Sequence, residues 1–283
     1  MPLAVRLVGR YLAETGEGAS VYLAWLAATP LDALNQGARR QESVPLLLER
    51  SLAEVLARLA GYYTALAETE STQGLAGYRR LDPARGHLLR VLEACAAQEQ
   101  WEAVPSLVWA VDGYLNVQGY WTERVQALET GVQAAEALEH RRDEGAFLGN
   151  LGGAYHRLGQ VQADKNHPSA IGYYEQALAI AREIGDRRGE GNRLGSLGLA
   201  YADLGQVEEA IEYYEQALAI AREIGNRLSE GIHLHNLGDL YKDQGDTSRA
   251  RQYLREALAI FEEVKSPYAE ISRGVLAEVE EEV

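Results

Sequence analysis

Apolar residues recur along this chain at spacings of three and four, the period of a helix with one buried stripe. Leu3, Val5, Leu7, Val8, Tyr11 and Leu12 follow it within residues 2–14, and Val21, Tyr22, Trp25 and Leu26 within residues 19–28. A longer helix is expected from Ser43-Val44-Pro45, because a serine ahead of a first-turn proline is a start signal. It runs through LLLERSLAEVLARLAGYYTALAE with a weak point at Gly61, and the polar, glycine-bearing stretch 70–77 reads as a linker or bend. Leu81-Asp82-Pro83 ends one element and caps the next. Residues 87–98 follow as a helix with Leu88, Val91, Leu92 and Cys95 on its apolar face.

From Trp101 onward the helices pair, and the pairs repeat. Tyr173–Gly185 reads YYEQALAIAREIG, and Tyr213–Gly225 repeats it letter for letter at an offset of 40. A weaker copy, YLREALAIFEEVK, occupies Tyr253–Lys265. Partner phrases precede them: NLGGAYHRLG from Asn150, SLGLAYADLG from Ser196 and NLGDLYKDQG from Asn236. A period of this size marks a stacked array whose units bury their apolar faces against one another. Three units are clear, at 141–185, 186–225 and 226–265. Aligning Gly119 with Gly159 and Gly205 makes 101–138 a degenerate first unit. An insertion, VQADKNHPSA against VEEA, lengthens the 141–185 unit, and Pro168 restarts its second helix.

One unit displays the local physics. Asp186 stands where an N-cap belongs, after Gly185, which suits a left-handed helix end. Gly195, Gly198 and Ala200 are small enough for a neighbouring helix to approach closely. Ile211, Tyr214, Ala217, Leu218 and Ala221 form the stripe of the second helix. Of the tyrosine pairs, Tyr174 and Tyr214 are expected in the core and Tyr173 and Tyr213 half-exposed. The array then spans 101–265, between a helical segment (1–75) with a linker or cap (76–100) and a capping helix with an acidic tail (266–283). An array needs such terminal caps.

Composition narrows the function. The net charge of −15 and pI near 4.9 disfavour nucleic acid and anionic membranes as partners. The single cysteine, Cys95, fits a reducing, cytoplasmic setting. No leader peptide and no membrane-length apolar run is read in the sequence. No Gly-Lys pair exists, so a phosphate-binding P-loop is excluded. Gly189-x-Gly191 lies between helices rather than after a strand. His233 and His235 point to different helix faces and make poor joint metal ligands. No enzyme activity, cofactor or metal is expected.

The pattern L-G-x-x-Y-x-x-x-G followed by A-I-x-x-Y-x-x-A-L resembles the tetratricopeptide repeat. In the 186–225 unit it falls on Leu197, Gly198, Tyr201, Gly205, Ala210, Ile211, Tyr214, Ala217 and Leu218. The resemblance implies an all-α chain, a right-handed α-solenoid of helix-turn-helix repeats with an N-terminal helical segment. It further implies that the first helix of each pair lines a concave groove for a protein or peptide. Transferred to this chain, the groove positions are Asn150, Gly153, His156 and Arg157, then Asn192, Ser196, Leu199 and Asp203. In the last unit they are His235, Asn236, Asp239, Lys242 and Asp243. Asparagine amides suit a peptide backbone, since each offers a donor and an acceptor. Simple solvation of these polar side chains is the competing reading. The two-carboxylate clamp of chaperone-binding members needs basic residues where glycine or asparagine mostly stands here. Arg157 and Arg193, with Lys242, supply local positive charge for an acidic partner.

A fainter resemblance lies at the N-terminus. MPLAVRLVGRYL is similar to the G-L-P-L-A-x-R-L motif of NB-ARC modules, and ESVPLLLERSL to the stretch that follows it in STAND signalling ATPases. It implies an alternative: a sensor or regulatory fragment of a STAND-type ATPase or transcription regulator, binding a small ligand or acting in trans. The chain would then be the tail of such a protein or a truncated relative.

Overall fold

Left-handed residues punctuate the chain at a regular beat. Positive φ angles occur at Glu99, Gly119 and Glu139, then at Gly185, Gly205, Gly225, Gly245 and Lys265. After each, an amide reaches back to a carbonyl of the helix just ended, as in Asp186 N to Ala181 O at 2.8 Å and Gln206 N to Tyr201 O at 3.0 Å. These are Schellman closures, and they satisfy carbonyls that a helix end leaves without partners. The helix that follows is capped where the sequence allows it. Asp186, Asn226 and Asp246 accept from the amides of Gly189, Ser229 and Arg249.

The computed structural model describes residues 43–161 and 168–281, and the described residues are helical with no strand. The helices are α1 (Ser43–Ser71), α2 (Gly74–Leu81), α3 (Arg85–Ala97), α4 (Val104–Gln118), α5 (Trp121–Ala137) and α6 (Arg141–Val161). They continue as α7 (Pro168–Glu183), α8 (Arg187–Asp203), α9 (Val207–Glu223), α10 (Arg227–Asp243), α11 (Thr247–Glu263) and α12 (Tyr268–Glu281). The chain divides into two units, Met1–Arg58 and Leu59–Val283. The helices expected at 2–14 and 19–28, and the body of the 161–170 insertion, lie outside the described residues.

The long helix expected from Ser43 is present, and one expectation is corrected. Helix α1 passes through Gly61 without a break. The linker foreseen at 70–77 shrinks to Thr72 and Gln73, because Gly74 turns left-handed and starts α2 at once. Gly159, aligned above with Gly119 and Gly205, lies inside α6, which continues to Val161 with no left-handed residue at that point. Asp82 also proves to be more than a helix-end residue. Its carboxylate accepts from the hydroxyls of Tyr114 and Tyr120, at 2.7 and 3.0 Å, and so ties the approach to α3 to the first pair.

Helices α4/α5, α6/α7, α8/α9 and α10/α11 pack as successive hairpins, and α12 closes the series against α11. Each of the last three pairs is pinned by a parallel tyrosine stack, Tyr155–Tyr173, Tyr201–Tyr213 and Tyr241–Tyr253, with ring centroids 5.2–5.6 Å apart. Buried apolar clusters follow one another beneath them. Tyr174, Leu178, Leu194 and Leu197 lead into Tyr214, Leu218, Leu234, Leu237 and Phe261, all buried. The second member of each tyrosine pair is thus in the core, and Tyr173 and Tyr213 are half-buried. Along the outer seam an arginine in the first turn of α6, α8 and α10 grips two acids. Arg187 bonds Glu190 and Glu223, and Arg227 bonds Glu230 and Glu263. Arg141 does the same with Glu144 and Glu183.

Candidate functional site

The first helices of successive pairs meet through one recurring register position. Phe147 of α6 stacks on Trp109 of α4, with centroids 4.5 Å apart. One repeat later Arg193 lies across Gly149, where a methyl group would come within 1.7 Å of a guanidinium nitrogen. His233 then covers Gly195, where a methyl would come within 2.6 Å of Cε1. At the last junction His235 takes the glycine's place and meets Ser272 of α12 at 2.9 Å. Bulky residues fill this position at the two outer junctions. At the two inner junctions Arg193 and His233 fill the room the glycines give, and a cavity of 480 Å3 lies beside them among α6, α8 and α10.

Its lining is polar and free of carboxylates. Asn150, Asn192 and Asn236 face it with Ser196 and Ser229, and Leu199 and Ile232 add an apolar strip. Two cations line it, Arg124 and Arg193. Arg124 is neutralised: it donates to Asp112 at 2.7 and 3.2 Å and to Asn116 at 3.0 Å. Asn150 joins that group through a 3.1 Å bond to Asp112. Arg193 has no hydrogen bond or ion pair among the described residues. Burial pushes its guanidinium down from its ordinary value, with Tyr174 and Asp186 acting weakly the other way. An arginine nonetheless stays protonated at neutral pH. Tyr174 lines the cavity beside Ser196, and Arg193, Arg124 and Arg157 all bear on its phenol. Desolvation still outweighs them and raises its pKa.

His233 is buried, and its Nδ1 has no hydrogen-bond partner. Burial alone pushes it down to about 4, so the ring is neutral at pH 7. A buried nitrogen without a partner is uncommon and marks a place where packing has overridden polar satisfaction.

The groove positions transferred from the family separate into two sets. Asn150, Gly153, Asn192, Ser196, Leu199 and Asn236 meet at the cavity. The others stand apart from it. His156 contacts Asp203 at 3.2 Å and Gln160 at 3.1 Å, while Gln160 also reaches Asp203 at 2.9 Å, which bridges α6 to α8. Burial lowers the pKa of His156 against the pull of Asp203. Arg157 is exposed and bonds Gln160 at 3.1 Å. Lys242 is engaged by Glu278 of α12 at 2.7 Å, so its charge is spent inside the chain. Asp239 is half-buried, Asp243 is exposed, and His235 is turned to Ser272.

Tyr174, His233, Ser229, Ile232 and Arg124 line the cavity without having been singled out for the groove. A signal existed for His233. It stands forty residues after Arg193, in the same register, and each lies opposite a glycine of the preceding repeat.

Residues 143–223 and 192–263 match the family model described as tetratricopeptide repeat. No curated protein sequence matches the chain. Among solved structures, a STAND protein with a tetratricopeptide repeat sensor from Pyrococcus horikoshii aligns with a TM-score of 0.62 at 21% identity, over 80% of this chain and 33% of its own. The apo form of RapI aligns at 0.60 and 17%, over 98% of this chain and 71% of its own. The Rap conjugation gene regulator of the plasmid pLS20, in complex with the Phr peptide, aligns at 0.51 and 16%, over 81% of this chain and 69% of its own. At these identities the likeness is one of fold, an all-α solenoid.

Proposed function

We propose that this tetratricopeptide-repeat protein is a non-enzymatic scaffold that holds an extended peptide segment along the inner face of α6, α8 and α10. The observation that carries the reading is the cavity itself, 480 Å3 lined by three asparagines and two serines and by no acid. That volume lies within the roughly 300–1,000 Å3 usual for ligand sites. The amide of Asn192 is exposed and makes no side-chain hydrogen bond among the described residues, so both its donor and its acceptor are open to a peptide backbone. The peptide-bound Rap regulator, which shares the fold, supports the same class of partner.

Affinity capture with the intact chain, followed by titration of the captured segment as a synthetic peptide, tests this. Asn192→Ala combined with Asn236→Ala is expected to weaken binding about tenfold, the loss of one or two net hydrogen bonds. Unchanged affinity would remove the inner face from the account. A second reading is favoured by the STAND neighbour, whose repeats are called a sensor: the array senses a ligand for an ATPase. An ATPase core encoded in frame upstream would establish it, and a free-standing reading frame would not support it.

A further inference from the structure

In a chain with 42 acidic residues, the cavity is lined by two arginines and no acid. Elsewhere the arginines near carboxylates are used up. Arg141, Arg187 and Arg227 each hold two acids, Arg182 and Arg222 hold Glu190 and Glu230, and Arg124 holds Asp112. Arg193 alone among the cavity's cations is left unpaired, and it cannot swing far. Its guanidinium is laid across the backbone at Gly149, in the space a side chain would occupy. A fixed, partly desolvated and unneutralised guanidinium is a costly feature unless something arrives to pair with it.

Resting on the peptide-binding reading above, we propose that Arg193 is the charge-selecting residue of the cavity and takes one carboxylate of the bound peptide. The planar fork of an arginine matches a carboxylate with two parallel bonds. One unpaired cation balances one carboxylate. A doubly charged phosphate would leave one negative charge unmatched, and a second acid would find no partner. The phenol of Tyr174 lines the same cavity beside Arg193 and presents no fixed negative charge to it. With a net charge of −15, the chain repels acidic partners at long range, so the preference is local and is best read at physiological salt.

The carboxylate has two sources, an Asp or Glu side chain or a free C-terminus. Fluorescence polarisation of the intact chain with short random-flank peptide pools separates them. One arm compares central Asp or Glu with Asn or Gln, all C-terminally amidated. The other lacks internal acids and compares a free with an amidated C-terminus. One carboxylate arm is expected to bind about tenfold tighter than its neutral counterpart, in line with the cost of leaving one member of a buried charge pair alone. Arg193→Gln should erase that preference, and Arg193→Lys should keep part of it. Thermal unfolding of both variants checks that the fold is intact. A preference that survives Arg193→Gln overturns the proposal. Binding that ignores charge yet falls with Asn192→Ala overturns it while leaving the peptide reading in place. No binding by any pool overturns both.

Discussion

Helices α7 and α9 carry the same residues from Tyr173 and from Tyr213 onward, yet they do different work. Their shared parts behave alike. A methyl on Gly152 would meet the Tyr174 ring at 2.7 Å, and one on Gly198 would meet the Tyr214 ring at 2.8 Å. Arg182 bonds Glu190 just as Arg222 bonds Glu230. The difference lies in what the neighbouring first helix presents. Tyr174 faces Ser196 and Arg193 and lines the cavity, whereas Tyr214 faces Asn236 and is sealed in the core. Repeated sequence therefore builds the frame, and the unrepeated positions of α6, α8 and α10 decide what lines the cavity.

The frame comparison breaks first at the two tyrosines. Tyr174→Ala and Tyr214→Ala should each cost about 3–5 kcal/mol in urea unfolding, and by similar amounts, because the rings fill equivalent sites. The phenylalanine variants should part company. Tyr214→Phe lowers stability, and Tyr174→Phe changes peptide affinity. A large gap between the alanine variants would show that the two repeats are not equivalent in packing.

Acid sharpens the contrast between Arg193 and His233, which share one register. The unfolded chain takes up a proton at His233 near pH 6.5, and the folded chain refuses it until about pH 4. Stability should therefore fall as pH drops across that window, by at most about 3 kcal/mol from this residue, and level off below it. Burial lowers His156 and His235 in the same direction, so they add to the slope. His233→Leu should flatten part of it, read as denaturation midpoints against pH.

Smaller effects test the seam and the helix ends. Glu144, Glu190 and Glu230 are all buried, but Glu190 and Glu230 each bond two guanidiniums, whereas Glu144 bonds only Arg141 among the described residues. Glu190→Gln and Glu230→Gln should cost about 1–3 kcal/mol and Glu144→Gln less. Glu139 and Lys265 hold left-handed φ angles of 56° and 54° where the clearer repeats use glycine. Glu139→Gly should raise stability by up to about 1 kcal/mol, offset in part by the greater freedom glycine gives the unfolded chain. A loss on that substitution would show that the Glu139 side chain contributes contacts of its own.

Most of the frame was legible because it is local physics repeated. The forty-residue offset, the glycine beat and the cap at Asp186 are written in adjacent letters. Gly159 shows that the same letter serves two roles, a helix interior here where its counterpart Gly205 is a helix end. The cavity was only half legible. Asparagines at groove positions could be carried over from the family pattern. The space they face depends on pairing Gly149 with Arg193 and Gly195 with His233, across repeats and between helices distant in sequence. Lys242 was legible as a positive charge but not as one already held by Glu278, since that pairing needs the capping helix in place.

The central claim is that the inner face of α8 is where a peptide lies. Cys95, the one native cysteine, is fully buried, so Ser196→Cys adds a thiol at the cavity that can be alkylated selectively. Gln216→Cys adds one on α9, exposed and outside the cavity. With a bound peptide present, alkylation should slow at the Ser196→Cys thiol and proceed unchanged at the Gln216→Cys thiol. Protection at Gln216→Cys alone, or at neither position while the peptide stays bound, would contradict the account.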